Sequence, residues 1–164
     1  MLRCYARMRA AHNMLNIAVI SDTHGLLRAE VLEQLQGRDH IIHAGDIGSY
    51  ETFQQLQTLA PLTIVRGNVD AGAWANKIPV SEFFQLGNSL MYCLHNLQDL
   101  DLDPVAAELS LVISGHTHQP ALFEKDGVRY LNPGSVGPKR FSLPISMATI
   151  QLQGTDLDIE FIEF

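Results

Sequence analysis

The stretch Asn16–Gly25, NIAVISDTHG, joins a short apolar run to a carboxylate and an imidazole. Its apolar part, Ile17–Ser21, is predicted to be a buried strand because it is short, continuous and followed by polar residues. Asp22 and His24 come directly after it. A helix is predicted next, because apolar residues recur at helical spacing before a glycine that suits a helix end: Leu27, Val31, Leu32 and Leu35, then Gly37.

The same alternation of strand and helix repeats downstream. His40–Ala44 (HIIHA) is predicted to be a second strand, and Leu62–Val65 (LTIV) a third. Between them, apolar residues at helical spacing over residues 53–59 predict a second helix that ends near Pro61. The order β-α-β-α-β predicts a parallel sheet covered by helices.

After residue 78 the pattern changes to strand-like runs separated by turn residues. The runs are EFFQL, SLMYCL, LVIS, ALFEK, VRYLN, ISMATIQL and LDIEFIEF. One helix is predicted among them, around Pro104–Leu109, with Asp103 as its cap. We therefore expect an α/β protein in which two sheets pack face to face with helices outside.

The composition predicts one globular domain. The chain has 164 residues, of which 46% are hydrophobic, and its apolar runs are too short to span a bilayer. A net charge of -7 argues against a surface for nucleic acid, which would need clustered cations. Cys4 and Cys93 lack the spacing of a disulfide framework or a zinc site, which favours a reducing cytoplasm.

Residues 1–13, MLRCYARMRAAHN, differ in charge from the rest of the chain. They carry Arg3, Arg7 and Arg9 and no acidic residue. We predict a disordered leader over 1–13 and a folded domain over 14–164. A transit peptide is the alternative, because such segments are also rich in arginine and poor in acid.

Histidine, aspartate and asparagine residues follow five of the predicted strands. The seven are Asp22, His24, Asp46, Asn68, His95, His116 and His118. The carboxyl ends of strands in open α/β sheets converge on one rim, where ligands bind. His116 and His118 are two residues apart, so an extended backbone would point both to the same side. The sequence therefore predicts a metal-binding cluster at this rim.

Five blocks in this order resemble the calcineurin-like metallophosphoesterase superfamily. They are DTH (Asp22–His24), GD (Gly45–Asp46), GNVD (Gly67–Asp70), His95 and GHTH (Gly115–His118). ISDTHG, HAGDI and NPGS (Asn132–Ser135) make the chain most similar to the small YfcE-like phosphodiesterase branch. The resemblance implies a four-layer αββα sandwich of two mixed sheets flanked by helices. It also implies a metal-dependent phosphodiesterase acting on a small phosphodiester.

For the site, the resemblance implies two divalent metal ions with a bridging water or hydroxide as the nucleophile. It assigns the first ion to Asp22, His24, Asp46 and His118. It assigns the second to Asp46, Asn68, His95 and His116, so that Asp46 bridges the ions. Asp46, Asn68 and His95 are expected to be catalytic. Manganese is the expected metal, with iron, zinc, cobalt and nickel as alternatives.

Four further residues are expected to contact substrate or to support the ligands: His43, Arg66, Asp70 and Asn132. Arg66 would help to bind the phosphate. His43 would orient Asp46, or would be a satisfied core histidine. Asp70 is expected to orient its neighbours, because a carboxylate near two cations stays ionised and donates no proton. Asn132 is expected to form a tight turn below the metals, with substrate contact as the alternative.

The chain departs from the family pattern at two places. The branch begins a His-Gly-His block where this chain has His95–Leu97 (HNL), so the pocket there is expected to differ. Many phosphatases of the superfamily carry a histidine general acid where this chain has Val69. We therefore expect slow hydrolysis of alkyl esters and a preference for activated or aryl phosphodiesters.

Two alternatives are weighed against the diesterase. A retromer subunit with a similar fold serves as a scaffold, so a catalytically weak or inactive binding module is one. A phosphomonoesterase is the other, and it would be expected to have the missing acid and a longer chain. The oligomeric state is left open by the sequence.

Overall fold

The computed structural model describes residues 14–164, and the predicted leader lies outside the described residues. The described residues form ten strands: β1 (Leu15–Ile20), β2 (His40–His43), β3 (Leu62–Ile64), β4 (Ser81–Leu86), β5 (Ser89–Leu94), β6 (Leu111–Ile113), β7 (Ala121–Lys125), β8 (Val128–Asn132), β9 (Ser146–Gln153) and β10 (Asp156–Glu163). The helices are α1 (Ala29–Leu35), α2 (Tyr50–Gln57) and two 3-10 helices, Ala75–Lys77 and Leu97–Asp99.

The strands make two mixed sheets of five strands each. The first has the order β10-β9-β1-β2-β3, with β1, β2 and β3 parallel and β9 antiparallel to β1. The second has the order β4-β5-β6-β8-β7, with β5, β6 and β8 parallel and an antiparallel strand at each edge. Each sheet thus presents the carboxyl ends of three parallel strands.

The two faces of β1 explain why its sequence is continuously apolar. Ile17 and Val19 are buried among residues of both sheets, in the core between them. Ala18 and Ile20 point to the opposite face and pack with Val31 and other residues of α1 and α2. Because successive strand residues alternate between faces, a strand covered on both sides needs apolar residues throughout.

No α-helix formed by residues 14–164 covers the outer face of the second sheet. Tyr92, Val112 and Val128 pack there under the segment 97–109. The helix predicted around Pro104–Leu109 was wrong, because the segment makes only one hydrogen-bonded turn and then reverses at Glu108, where φ is 55°. Its predicted cap does form, with Asp103 Oδ1 accepting hydrogen bonds from the next amides.

The helices of the described residues are all short. None of them between residues 14 and 164 has the length and the apolarity needed to cross a bilayer.

Candidate metal centre

The parallel strands of both sheets deliver polar side chains to one region. β1, β2 and β3 are followed by Asp22 and His24, by Asp46 and by Asn68. β5 and β6 of the other sheet are followed by His95, His116 and His118. The structure therefore brings all seven side chains of the predicted cluster together, although they are spread over 97 positions from 22 to 118.

Asp22, His24 and His118 form one group, called here the Asp22 group. The Nε2 atom of His118 lies 3.2 Å from Asp22 Oδ1 and 3.3 Å from His24 Nε2. His24 Nε2 lies 3.9 Å from the same Asp22 oxygen. Two imidazole nitrogens and a carboxylate oxygen at this spacing are close enough together to hold a metal ion.

Asn68, His95 and His116 form a second group, called here the His95 group. Asn68 Oδ1 lies 3.1 Å from both His95 Nε2 and His116 Nδ1, and those two nitrogens are 3.3 Å apart. Asp46 lies between the groups, because its Oδ2 is 3.3 Å from His95 Nε2 and 3.7 Å from His24 Nε2. Asp46 Oδ2 is thus the oxygen that both groups can share.

The hydrogen bonds around the cluster leave ligand atoms free on its inner side. His95 Nδ1 donates to the carbonyl oxygen of Ala44 at 2.8 Å, and Nε2 faces the inner side of the cluster, where it would bind a metal ion once it is unprotonated. Asp22 Oδ2 accepts from Ser21 Oγ and from the amide of His116. Asp22 Oδ1 is buried and makes no well-aligned hydrogen bond with any described residue, although His118 Nε2 lies 3.2 Å away. A buried carboxylate oxygen without a well-aligned donor fits a cation site.

Both carboxylates of the cluster stay ionised at neutral pH. Burial alone would raise the pKa of Asp46, but its contacts with His95 and the Val69 amide hold that pKa down to about 2. Burial is likewise opposed at Asp22, where His118 and Ser21 hold the pKa of the carboxyl below its usual value. The site therefore concentrates two negative charges, which a cation would neutralise.

Five of the seven cluster residues have left-handed backbone conformations. Among the described residues, eight that are not glycine have positive φ, and these include Asp22, His24, Asp46, His116 and His118. Such conformations are unfavourable for residues with a Cβ and tend to occur at functional sites. The turns after the strands therefore hold strained backbone conformations at the residues whose side chains converge.

Glycines let the loops of the cluster approach closely. A Cβ on Gly115 would overlap Ser21 Oγ, and one on Gly67 would overlap Asp46. At Gly45, where φ is +92°, a Cβ would lie 2.7 Å from Nδ1 of His95. These contacts are too short for any larger residue unless the cluster moves.

Replacing Gly45 with alanine is expected to displace His95 and to weaken the binding of divalent metal by about 10- to 100-fold. The matched control is Gly37→Ala, because Gly37 also has positive φ, +72°, but a Cβ there meets nothing within 4 Å. Both variants carry the left-handed strain of roughly 1–2 kcal/mol. Titration calorimetry with manganese measures the difference. Equal affinities in the two variants would contradict this role of Gly45.

The four supporting residues lie around the cluster rather than in it. Asp70 accepts hydrogen bonds from the amides of Gly67, Ile47 and Gly48, so it ties the loop after β3 to the loop after β2. Asn132 donates from Nδ2 to the carbonyl of Gly115 and to Thr117, and it thereby holds the loop after β6 that carries His116 and His118.

His43 and Arg66 have different surroundings. His43 is fully buried, accepts from the Gly45 amide at Nδ1 and lies 2.9 Å from Thr23 Oγ1 at Nε2. Burial lowers the pKa of His43 to about 4, so it is neutral. It contacts the turn before Asp46, but no hydrogen bond joins it to the Asp46 side chain. Arg66 bonds to Asn76 and lines a cavity beside the His95 group.

Arg140 is a residue that the sequence analysis missed. Its Nη2 lies 3.4 Å from His24 Nε2, and its side chain is exposed. It brings a fixed positive charge to the edge of the Asp22 group. Nothing in its local sequence, PKRF, signals this position, because the contact joins residues 116 positions apart.

Two cavities adjoin the cluster, and His116 borders both. The first, of about 410 Å³, contacts the His95 group and extends to Arg66, Asp99 and Asp101. The second, of about 350 Å³, lies on the other side of His116 and is walled by Phe123 and Tyr130. Groups attached to a molecule bound at the cluster therefore have two directions in which to lie.

A family model and a curated relative both indicate the same protein family. The family model of the calcineurin-like phosphoesterase superfamily domain matches residues 15–155. A probable metallophosphoesterase of Methanothermobacter thermautotrophicus is 34% identical over 158 residues, which cover 89% of this chain and 91% of that protein.

Solved structures share the fold. Vacuolar Protein Sorting 29 from Cryptosporidium parvum has a TM-score of 0.75 at 21% identity and covers 92% of this chain and 98% of its own. A predicted phosphoesterase from Streptococcus pneumoniae has a TM-score of 0.73 at 23% identity, with coverage of 92% and 90%. The expected fold of two packed mixed sheets is confirmed. The chain belongs to the calcineurin-like phosphoesterase superfamily.

Proposed function

We propose that this chain is a metal-dependent phosphodiesterase that uses two divalent ions held by the seven clustered side chains. The observation that carries the proposal is the convergence of these donors around two buried, ionised carboxylates, one of whose oxygens makes no well-aligned hydrogen bond with any described residue. Such an arrangement is costly without a cation and is favourable with one.

The donor set fits a pair of transition-metal ions. The Asp22 group with Asp46 would hold one ion, and the His95 group with Asp46 would hold the other. Mixed imidazole, carboxylate and amide ligands suit manganese, iron, zinc, cobalt or nickel better than calcium. We propose manganese. When bound, such a pair supplies Lewis acidity, which lowers the pKa of a water and neutralises charge on a phosphate.

The residues of the chain then have distinct tasks. Asp46 fixes the spacing of the two groups, because its Oδ2 faces both and its Oδ1 is held by the Val69 amide. His95 is oriented by the Ala44 carbonyl, and Asn68 offers its amide oxygen beside it. Arg140 lies beside the Asp22 group and Arg66 beside the His95 group, where each would attract a phosphate oxygen. Two carboxylates against two divalent ions leave a net positive site for an anion.

A diester with a good leaving group is the substrate that this site favours. The position where related phosphatases carry a histidine is Val69, whose side chain is 43% exposed and has no proton to give. The neighbouring Asp70 has both oxygens occupied by backbone amides. The leaving group therefore receives no proton from either residue. The rate then depends on how stable the departing alkoxide or phenolate is, which the pKa of the corresponding alcohol measures.

The rate is expected to depend steeply on the leaving group. With methyl aryl phosphates, we expect kcat to fall by about 100-fold or more from 4-nitrophenolate to phenolate, the size of effect a general acid would otherwise supply. Steady-state kinetics of the manganese-loaded protein measures this, with uncatalysed hydrolysis of the same esters as the control. A kcat that does not change along the series would contradict the absence of a general acid.

The fold neighbours include a vacuolar protein sorting protein, so a binding module remains the second candidate. The same kinetic experiment separates the two. A chain that binds manganese but hydrolyses neither diesters nor monoesters would contradict the proposed enzyme and favour the module. Faster hydrolysis of monoesters than of diesters would make it a phosphomonoesterase instead.

A further inference from the structure

The second cavity adjoins the metal cluster, and most of the residues that line it are not part of the cluster. It has a volume of about 350 Å³ and lies between the segment 96–98 and the hairpin of β7 and β8. His116 and Gly115 form its border with the metal cluster. Volumes near this value are typical of small-molecule sites. We call it the aromatic cavity.

One wall of the aromatic cavity is a stacked pair of rings. Phe123 and Tyr130 are cross-strand partners whose rings are parallel and stacked, with centroids 4.9 Å apart. The pair stabilises the hairpin of β7 and β8, and Phe123 is still 48% exposed on the edge strand β7. An exposed ring that a neighbouring ring holds in place offers a flat apolar surface to a ligand.

The rim of the aromatic cavity is polar. Asn96, Gln98 and Gln119 line it, and each carries an amide that both donates and accepts hydrogen bonds. No charged side chain is among its lining residues. A flat apolar wall with neutral amides at the edge matches a nucleobase, which has a stacking face and a hydrogen-bonding edge.

The first cavity differs in carrying charged side chains. Its lining includes Arg66, Asp99 and Asp101 beside apolar residues and Tyr92. The two carboxylates disfavour additional phosphates in that direction, and neither of the paired rings faces it. A diester at the metals would therefore place different ester groups in the two cavities.

We propose that the aromatic cavity binds the nucleobase of a nucleoside phosphodiester whose phosphate lies at the metal cluster. This inference rests on the proposed function, because it takes the metal cluster as the phosphate site. The base stacks on Phe123, and the amides of the rim contact its edge. The substrate class is then a diester with one nucleoside arm and one smaller arm that lies in the first cavity.

The test compares two ligands that share a phosphate and differ in the base. Calorimetry on the manganese-loaded full chain measures the affinities of thymidine 5′-monophosphate and methyl phosphate. We expect the nucleotide to bind about tenfold more tightly, since stacking of one base on an aromatic side chain supports a ratio of that order. Phe123→Ala should bring the ratio close to one, and Phe123→Leu, which keeps the apolar contact without the ring, should leave it at an intermediate value.

Phe83→Ala is the matched control. Phe83 is 49% exposed and lies on β4, the opposite edge strand of the same sheet, where its cross-strand partner is also a tyrosine, Tyr92. Phe83 lines neither cavity beside the cluster. The ratio of affinities should be unchanged in this variant. Circular dichroism and manganese content show whether each variant is folded.

The outcomes for the subsite and for the enzyme can be told apart. Equal affinities of the two ligands, or a ratio that Phe123→Ala leaves unchanged, would overturn the nucleobase subsite, even if the chain hydrolyses simple aryl diesters. A ratio that falls with Phe123 would support the subsite, even if hydrolysis were never detected and the proposed function failed.

Discussion

Replacing Asp46 by asparagine is expected to lower kcat/KM for an activated phosphodiester by about 1,000-fold or more, which is about 4 kcal/mol of transition-state stabilisation. Asparagine keeps the shape of the side chain, but it removes the charge that both donor groups share through Oδ2. We also expect the number of manganese ions bound per chain to fall. Kinetics together with metal analysis of the purified variant measure both effects.

Asp101→Asn is the control for this variant. Asp101 lines the first cavity but is not part of the metal cluster, so the same change of charge there should alter kcat/KM by about tenfold or less. If kcat/KM fell equally in the two variants, any negative charge near the first cavity would have the same effect, and Asp46 would not have the proposed role of shared ligand.

Removing the metals is expected to destabilise the folded chain as well as to abolish hydrolysis. Without cations, the ionised carboxylates of Asp22 and Asp46 repel each other beside buried imidazoles. Each of the two proposed ions should stabilise the chain by about 2.7 kcal/mol when free manganese is at 100 times its dissociation constant. For a chain of this size, each bound ion corresponds to a rise in Tm of roughly 5–10 °C. Calorimetric melting with chelator and then with manganese measures it.

The Asp46→Asn variant supplies the control for the melting experiment. It should show a smaller rise in Tm, because one shared ligand charge is lost. A wild-type Tm that is the same with chelator and with manganese would contradict the cluster as a metal site. Hydrolysis that persists in excess chelator would contradict the proposed mechanism directly.

The fold could be predicted from the sequence because its central strands are buried on both faces. Continuous apolar runs such as those of β1 and β2 leave few alternatives, and polar residues mark where each run ends. The observed strands agree with the predicted runs to within one or two residues at each end. The arrangement of the strands in two sheets was predicted from the family resemblance and from the number of strand-like runs.

The segment after β5 was predicted less well. Leu97, Leu100 and Leu102 are spaced neither as a helix nor as a strand, yet they cover the outer face of the second sheet. Asp103 begins a turn that Glu108 ends, so the cap was identified but the helix was not formed. A cap indicates only where a helix can start. The length of the helix depends on how the residues after the cap pack against the rest of the protein.

The convergence of the seven side chains could be predicted, but its geometry could not. Strand ends and family blocks pointed to all seven residues, whereas the left-handed turns at Asp22 and Asp46 have no sequence signal, because neither residue is glycine. Arg140 and the ring pair of Phe123 and Tyr130 also went unnoticed, since each depends on a contact between distant residues or on the pairing of two strands.

A crystal structure of the manganese-loaded chain, with anomalous diffraction at the manganese edge, tests the central claim most directly. We expect two anomalous peaks. One should be ligated by the Asp22 group, the other by the His95 group, and Asp46 should contact both. A single peak, or two peaks that do not share Asp46, would contradict the two-ion site on which the proposed hydrolysis depends.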